Sequence, residues 1–302
     1  MKKIFLIIAI AIGSFSTTYA CEICGCGQGN YFLGLMPQFK RHFIGLRYNY
    51  KRFNTVMSDD PAQFSRDYYK TMELWGGWNF GKKWQVLAVI PYNFVHQVSD
   101  DGITNNQGIG DIALMVNYKV FDKSKTIKGK TIAKQFWIGA GVKAPTGKFN
   151  VDATDPALVA LANTQTGTAS TDFMLNAMYN ISINKIGINT NASYKLNTTN
   201  SDKYTFGNRF SASSIVFYTI KKNQVSILPN LGIMYENNAI NKLDKQEVAQ
   251  TGGYLLSGSG GVEIGYKKIT VGANVQLPMS QRFAAGQTEL KLKGMMHVTY
   301  AF

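Results

Sequence analysis

Cysteine is almost missing from this chain, and where it occurs it is crowded: all three fall in the run Cys21-Glu-Ile-Cys24-Gly-Cys26. No disulfide framework can brace the rest of the sequence. Charge is scarce too, at 17% of 302 residues, against roughly 25% in ordinary soluble domains. There are only three histidines, His42, His96 and His297, in separate segments. No Gly-x-Ser-x-Gly, His-Glu-x-x-His or phosphate-binding loop accompanies them. A serine triad needs its members gathered on one wall, and nothing in the spacing gathers them, so an enzyme is not expected. Beyond the first residues no apolar run approaches the length of a membrane-spanning helix. What the chain has instead is 13% aromatics and 29 glycines, a mixture suited to strands and tight turns.

The net charge of +14 raises nucleic acid as a partner. That reading requires basic residues collected on one face with a reading element. Here the lysines occupy turns or alternate positions of strands, and no nucleic-acid partner is expected.

Residues 1–20 have the form of a cleaved signal peptide. Lys2 and Lys3 precede a short apolar run, and Thr18-Tyr19-Ala20 presents small side chains where a signal peptidase reads. The apolar run is short of the roughly 20 residues that cross a bilayer. An exported chain with no helical span is either soluble outside the cytoplasm or a β-barrel. Residues 21–40 then form a Cys/Gly-rich periplasmic segment. Cys21, Cys24 and Cys26 permit three readings: a disulfide with one thiol left over, a soft-metal site for copper or zinc, or acylation of Cys21. Thr18 stands where a lipoprotein signal usually carries leucine, which counts against the last.

From residue 41 to 302, period-two alternation recurs. In the final segment Leu292, Gly294, Met296, Val298, Tyr300 and Phe302 alternate with Lys291, Lys293, Met295, His297 and Thr299. Segments 42–52, 109–121, 136–144, 186–196 and 225–235 behave alike, and the whole gives about twelve strands, longer than those of a soluble sandwich. Connections alternate in length: 81–83, 184–185, 221–223 and 267–268 are brief and lysine-rich. The intervening ones, such as 53–67, 99–108, 147–171 and 237–252, are long and carry most of the aspartates. Short turns on one rim and long loops on the other are the build of an outer-membrane barrel. Residues 122–134 are the exception, a longer connection where a short one belongs. The fold expected is therefore all-β, a transmembrane antiparallel β-barrel of about twelve strands in contact with outer-membrane lipid.

Alternation assigns the polar face to the lumen. Arg47, Lys51, Glu73, Asp111, Lys119, Lys143, Lys195, Arg209, Glu236, Glu263, Lys291, Lys293 and His297 are its candidate lining. Cations outnumber acids there, which points to an anion preference. The long connection 147–171, with its apolar stretch at 157–162, is either a constriction or lid, or a surface loop.

Two stretches carry more than alternation. Val89-Ile-Pro-Tyr92 precedes Gly108-Ile-Gly-Asp111, and Gly139 begins a run that ends in Ala144-Pro-Thr-Gly-Lys148. With Arg282-Phe-Ala-Ala-Gly-Gln287 before a strand ending on Phe302, they resemble the outer-membrane transporter-like family named for the meta-pathway of phenol degradation. The resemblance runs from about residue 68 to the end and implies a barrel that passes small, often hydrophobic, molecules. On it rests the functional expectation of a channel for small-molecule solutes in the outer membrane. The alternative is a non-transporting barrel that binds metal or a periplasmic partner through its cysteines.

Overall fold

The computed structural model describes residues 41–58, 60–150 and 162–302. The first half holds β1 (Phe43–Val56), β2 (Phe64–Phe80), β3 (Trp84–Ser99), β4 (Gly102–Ile109), β5 (Ala113–Ile127), β6 (Lys130–Lys143), β7 (Asp172–Ile183) and β8 (Ile186–Leu196). The second holds β9 (Tyr204–Thr205), β10 (Arg209–Tyr218), β11 (Ile220–Lys222), β12 (Val225–Asn238), β13 (Lys242–Leu243) and β14 (Gln246–Glu247). It ends with β15 (Gly253–Tyr266), β16 (Ile269–Phe283) and β17 (Thr288–Ala301).

Each wall strand pairs antiparallel with its neighbours, in the order β1-β2-β3-β5-β6-β7-β8-β10-β12-β15-β16-β17. β17 returns to β1 with Phe43 opposite Ala301, Arg47 opposite His297 and Lys51 opposite Lys293. That ring of twelve strands leaves no open edge, which is what a sheet in hydrocarbon requires. β4 is a hairpin extension laid on the outer half of β3, while β5 takes over the inner half. β9, β13 and β14 form a separate small sheet above the long-loop rim.

The outer surface is apolar in a way no water-exposed wall tolerates. Leu231 is 71% exposed, Leu175 60% and Leu114 54%. Exposed aromatics bracket this band. Trp78, Trp84, Tyr218, Tyr266 and Tyr300 lie beside the short turns; Tyr92, Phe173, Tyr194, Phe210 and Tyr235 lie toward the long loops. Two aromatic girdles around an aliphatic band mark the headgroup levels of a bilayer. Lys268 lies 5.7 Å over the Tyr300 ring, its ammonium at the wet rim.

Three expectations change. Residues 122–134 are not a long loop. β5 and β6 continue as a ladder to Ile127 opposite Lys130, and Lys128 and Gly129, with φ of 48° and 73°, make the two-residue turn. Short turns therefore occupy that rim at this hairpin too. The reason it hid is that both faces project beyond the barrel and are wet, so nothing selects an apolar face. Residues 99–108 are likewise mostly the strand β4. Residues 204–219, which alternation reads as one further strand with Arg209, Ser211 and Ser213 on its polar face, are divided: β9 leaves the wall and joins the small sheet.

The signal peptide, the segment 21–40 and its three cysteines lie outside the described residues. So does the stretch 157–162 except Ala162, which is buried against Tyr204 and Phe206.

Candidate functional site

The barrel interior is the candidate site. It is not uniformly wet. One apolar cluster around Phe43, Trp75, Leu87, Trp137 and Met178 fills part of the lumen on the short-turn side. A second, around Phe53, Tyr69, Val95, Leu255, Phe283 and Leu290, fills part of the other side. A twelve-strand ring encloses more than an eight-strand barrel, which side chains fill completely, and these two clusters occupy part of that space.

Between the clusters, charged side chains follow one another along the wall. Lys51 faces Lys293 across β1–β17, and Lys293 pairs with Glu236 on β12. Arg209 on β10 donates through Nε to Asn238 Oδ1 at 2.7 Å and lies directly opposite Lys195 on β8. Lys195 meets Asp172 at 3.0 Å, and Asp172 meets Lys143 at 2.9 Å. Lys143 ends the series on Asp111. Five cations and three carboxylates thus form one arc, an excess of two positive charges. Buried charges persist only when paired or hydrogen-bonded, and every carboxylate in the arc has a cation on it.

Asp111 shows why two sequence motifs go together. The Gly-x-Gly-Asp stretch lies at the step between β4 and β5. Thr146, from Pro-Thr-Gly after β6, donates its hydroxyl to Gly110 O at 2.8 Å and accepts from the Ile112 amide at 2.9 Å. Gly147 N–H donates to Asp111 Oδ1 at 3.0 Å. Oδ2 accepts from the Thr168 amide at 3.0 Å, from its hydroxyl at 2.7 Å and from Lys143. Both ends of the 144–171 connection are therefore fastened to one carboxylate. Gly147 and Gly167 touch backbone to backbone, where an added Cβ would collide.

A second row crosses the wall nearer the short turns. Arg47 pairs with Glu73, lies 4.8 Å over the Trp75 ring and is directly opposite His297. His297 Nε2 contacts Glu263 Oε1 at 2.9 Å, and this is made possible by Gly272 between them. A Cβ at Gly272 would overlap His297 Nε2 and lie 2.6 Å from Glu263 Oε2. Gly272→Ala should therefore destabilise the barrel by about 1–3 kcal/mol through overpacking. Gly294→Ala, where the nearest atom is Asn274 O at 3.8 Å, should be close to neutral. Urea unfolding of the two variants in vesicles compares them, and equal midpoints would contradict the packing described.

Twelve of the thirteen candidate lining residues point into the barrel. Lys119 is the least enclosed, at the short-turn end, with Asp122 at 3.3 Å and the Trp137 ring at 4.8 Å. Lys291 is the correction. The β1–β17 register pairs Arg52 with Leu292 and Phe53 with Leu290, leaving Lys291 as the extra residue of a β-bulge. It is exposed and pairs with Glu289. Two further buried carboxylates line the wall beyond the thirteen candidates. Asp172 stands two residues before Met174 on the inward face of β7. Asp67, fully buried, accepts from Ser65 at 2.8 Å and Gln97 at 2.5 Å. Alternation extended by one more step would have reached both.

The three histidines contact the Asn79 amide (His42), Asn105 (His96) and Glu263 (His297). None of these partners is a hydroxyl or thiol nucleophile.

These features define a transmembrane β-barrel of the outer-membrane type. The family model described as "Putative MetA-pathway of phenol degradation" matches residues 62–277, and the chain belongs to that family. An outer membrane channel from Pseudomonas putida F1 shares the fold, with a TM-score of 0.61 at 13% identity over 91% of this chain and 100% of that one. The β domain of the Bordetella autotransporter BrkA aligns with a TM-score of 0.47 at 11% identity, covering 87% of this chain and all of that one. A monoaromatic hydrocarbon channel, CymD, aligns at 0.39 and 10% identity over 87% of this chain and 88% of that one. No curated protein matches the sequence.

Proposed function

We propose that the chain is an outer-membrane channel for small molecules, with a preference for anions. The observation that carries this reading is the arc from Lys51 to Asp111, a run of charge on the inner face of a closed wall whose outer face is aliphatic. A ring of charge with a cationic excess lowers the barrier for anions and raises it for cations. The apolar clusters beside it make the passage narrow, so solutes pass singly. Family membership and the Pseudomonas putida F1 fold match support passage across the membrane, and the family's description favours small organic solutes. Binding of metal through Cys21, Cys24 and Cys26 draws no support from either.

Reconstitution of the full chain in a planar bilayer tests this. A current in potassium chloride whose reversal potential under a salt gradient lies toward that of chloride is expected. A membrane that holds folded protein yet passes neither current nor solute would sink the channel.

A further inference from the structure

β5 and β6 run on past the aromatic girdle of the short-turn rim, which in barrels of this type faces the periplasm. The Lys119 amide donates to Lys83 O, and beyond that point β5 pairs with β6 alone among the described residues. The end of β7 flanks β6 on its other side, with Ile132 opposite Ile183. The Thr131 amide donates to Asn184 Oδ1 at 2.9 Å, and the Asn184 amide donates to Thr131 O. The β7–β8 turn is thereby fastened to the hairpin, and the extension is a braced sheet with two distinct faces.

Those faces differ in charge. One continues the lipid-facing wall: its ladder descends through Tyr118 with Ile138 and Phe121 with Phe136 to Lys123 with Lys134, Lys125 with Ile132 and Ile127 with Lys130. All four lysines are exposed, and so on the same side are Ile127 (45%), Ile183 (46%) and Ile186 (55%). The opposite face carries Ser124, Thr126, Thr131 and Ala133. Asp122 is its one charge, and it lies 3.3 Å from Lys119. Among the described residues no carboxylate pairs with any of the four lysines. Lys123 and Lys134 stand directly opposite each other, an arrangement that repels. Lysines on a free strand edge discourage edge-to-edge pairing whichever face they take. That role does not account for all four standing on the lipid side.

We propose that this face binds the headgroups of anionic phospholipids in the periplasmic leaflet, with a phosphate held between Lys123 and Lys134. The rings of Phe121, Phe136 and Tyr179, within 6.5 Å of one another, mark the girdle. Lys123 and Lys134 come one step of the ladder, about 7 Å, beyond them. The headgroup layer is roughly 5–7 Å deep on each side of the hydrocarbon, so a lysine side chain reaching back places its ammonium there. Lys125 and Lys130 follow within about one Debye length and add attraction without direct contact. Isoleucines interspersed with lysines have the composition of surfaces that lie in a membrane interface. Elsewhere on this rim Lys83 and Lys267 lie over the girdle rings of Tyr118 and Tyr266, at 5.6 and 5.2 Å. The headgroup layer is hydrated, which is why lysines mark this face in place of a continuous apolar band, and the turn at Lys128–Gly129 extends past it. The site is independent of whether the barrel conducts.

Native mass spectrometry of the folded full-length chain in detergent, titrated with dioleoyl phosphatidylglycerol or dioleoyl phosphatidylcholine, tests it. The two lipids share their chains and differ in headgroup charge. Phosphatidylglycerol is expected to bind the more tightly. A lysine near an anionic surface contributes about fivefold in affinity, so the double variant Lys123→Gln/Lys134→Gln should weaken phosphatidylglycerol by about twentyfold. Its phosphatidylcholine binding should stay as it was. Lys123→Arg/Lys134→Arg, which keeps both charges, should bind as the wild type does. Lys203→Gln/Lys242→Gln, which removes two lysines from the long-loop side, should do the same. Heat-modified gel mobility establishes that each variant is folded. Oligoglutamate, as a soluble acidic probe, should bind more weakly than phosphatidylglycerol; the reverse order would assign the face to a soluble partner and overturn the proposal. Equal affinity for the two lipids, a Gln pair at Lys123 and Lys134 that binds phosphatidylglycerol unchanged, or an equal loss in the long-loop variant would overturn it as well.

Discussion

Asp111→Ala should free residues 144–150 and 162–171 from the barrel and lower stability more than any other single lumen change. The carboxylate accepts from the Gly147 amide, the Thr168 amide and hydroxyl, and Lys143. Truncation leaves the buried Thr168 amide without its acceptor, at a cost of about 1–3 kcal/mol, and the partly buried Gly147 amide without its own. Among the described residues Lys143, 2% exposed, then keeps Asp172 alone as its anion. Breaking a buried pair from one side typically costs about 3–5 kcal/mol. The loss should be local first, because the wall strands keep their ladders while the loop ends lose their common anchor. Limited proteolysis should therefore cut the 144–171 connection much faster in the variant, with the barrel core still protected. Asp111→Asn, which keeps two polar atoms but no charge, should fall between. A variant cleaved at the wild-type rate, with an unchanged urea midpoint, would mean the carboxylate does not hold the loop.

The anchor was half legible in the sequence. Gly-x-Gly-Asp and Pro-Thr-Gly could each be read as rim punctuation, glycine for the turn and proline for the strand end. Nothing in one sequence says that the two punctuations meet, because the contact is across β5 and β6 and depends on Thr146 reaching Gly110 and Ile112. The barrel itself was legible because lipid outside and charge inside impose the same period on every strand. Where the two faces stop differing, the signal fails. The hairpin at Lys128–Gly129 stands in water on both sides, so its strands read as a loop.

Lys291 fails for the opposite reason. Glu289-Leu290-Lys291-Leu292-Lys293 alternates without a flaw, yet Leu290 faces in, opposite Phe53, and Leu292 faces out, opposite Arg52. A one-residue bulge inverts the face assignment, and a regular sequence is compatible with it. The apolar half of the lumen escaped notice in a similar way. Phe43 and Phe53 share the face of Arg47 and Lys51 on β1, where only the charged members attract attention.

The outward face offers the sharpest test that lipid, and not water, surrounds this wall. Leu231 is the most exposed large apolar side chain of β12 at 71%. It lies midway along that strand, between Tyr266 and Tyr218 toward one girdle and Tyr235 toward the other. An arginine placed there would sit near the bilayer midplane. On transmembrane barrels that costs about 2–4 kcal/mol, falling to about 0–1 kcal/mol near the interfaces. Leu231→Arg should therefore lower the urea stability of the protein folded into phosphatidylcholine vesicles by that larger amount. Tyr235→Arg, four residues further toward the girdle, should cost less. On a surface facing water, Leu231→Arg would shift stability by no more than about 0.5 kcal/mol, since the side chain packs against nothing it would lose. The two outcomes differ several-fold, so a single pair of unfolding curves distinguishes them. A neutral Leu231→Arg would contradict the membrane placement of the β10–β12–β15 wall, and with it the premise that the arc from Lys51 to Asp111 lines a passage.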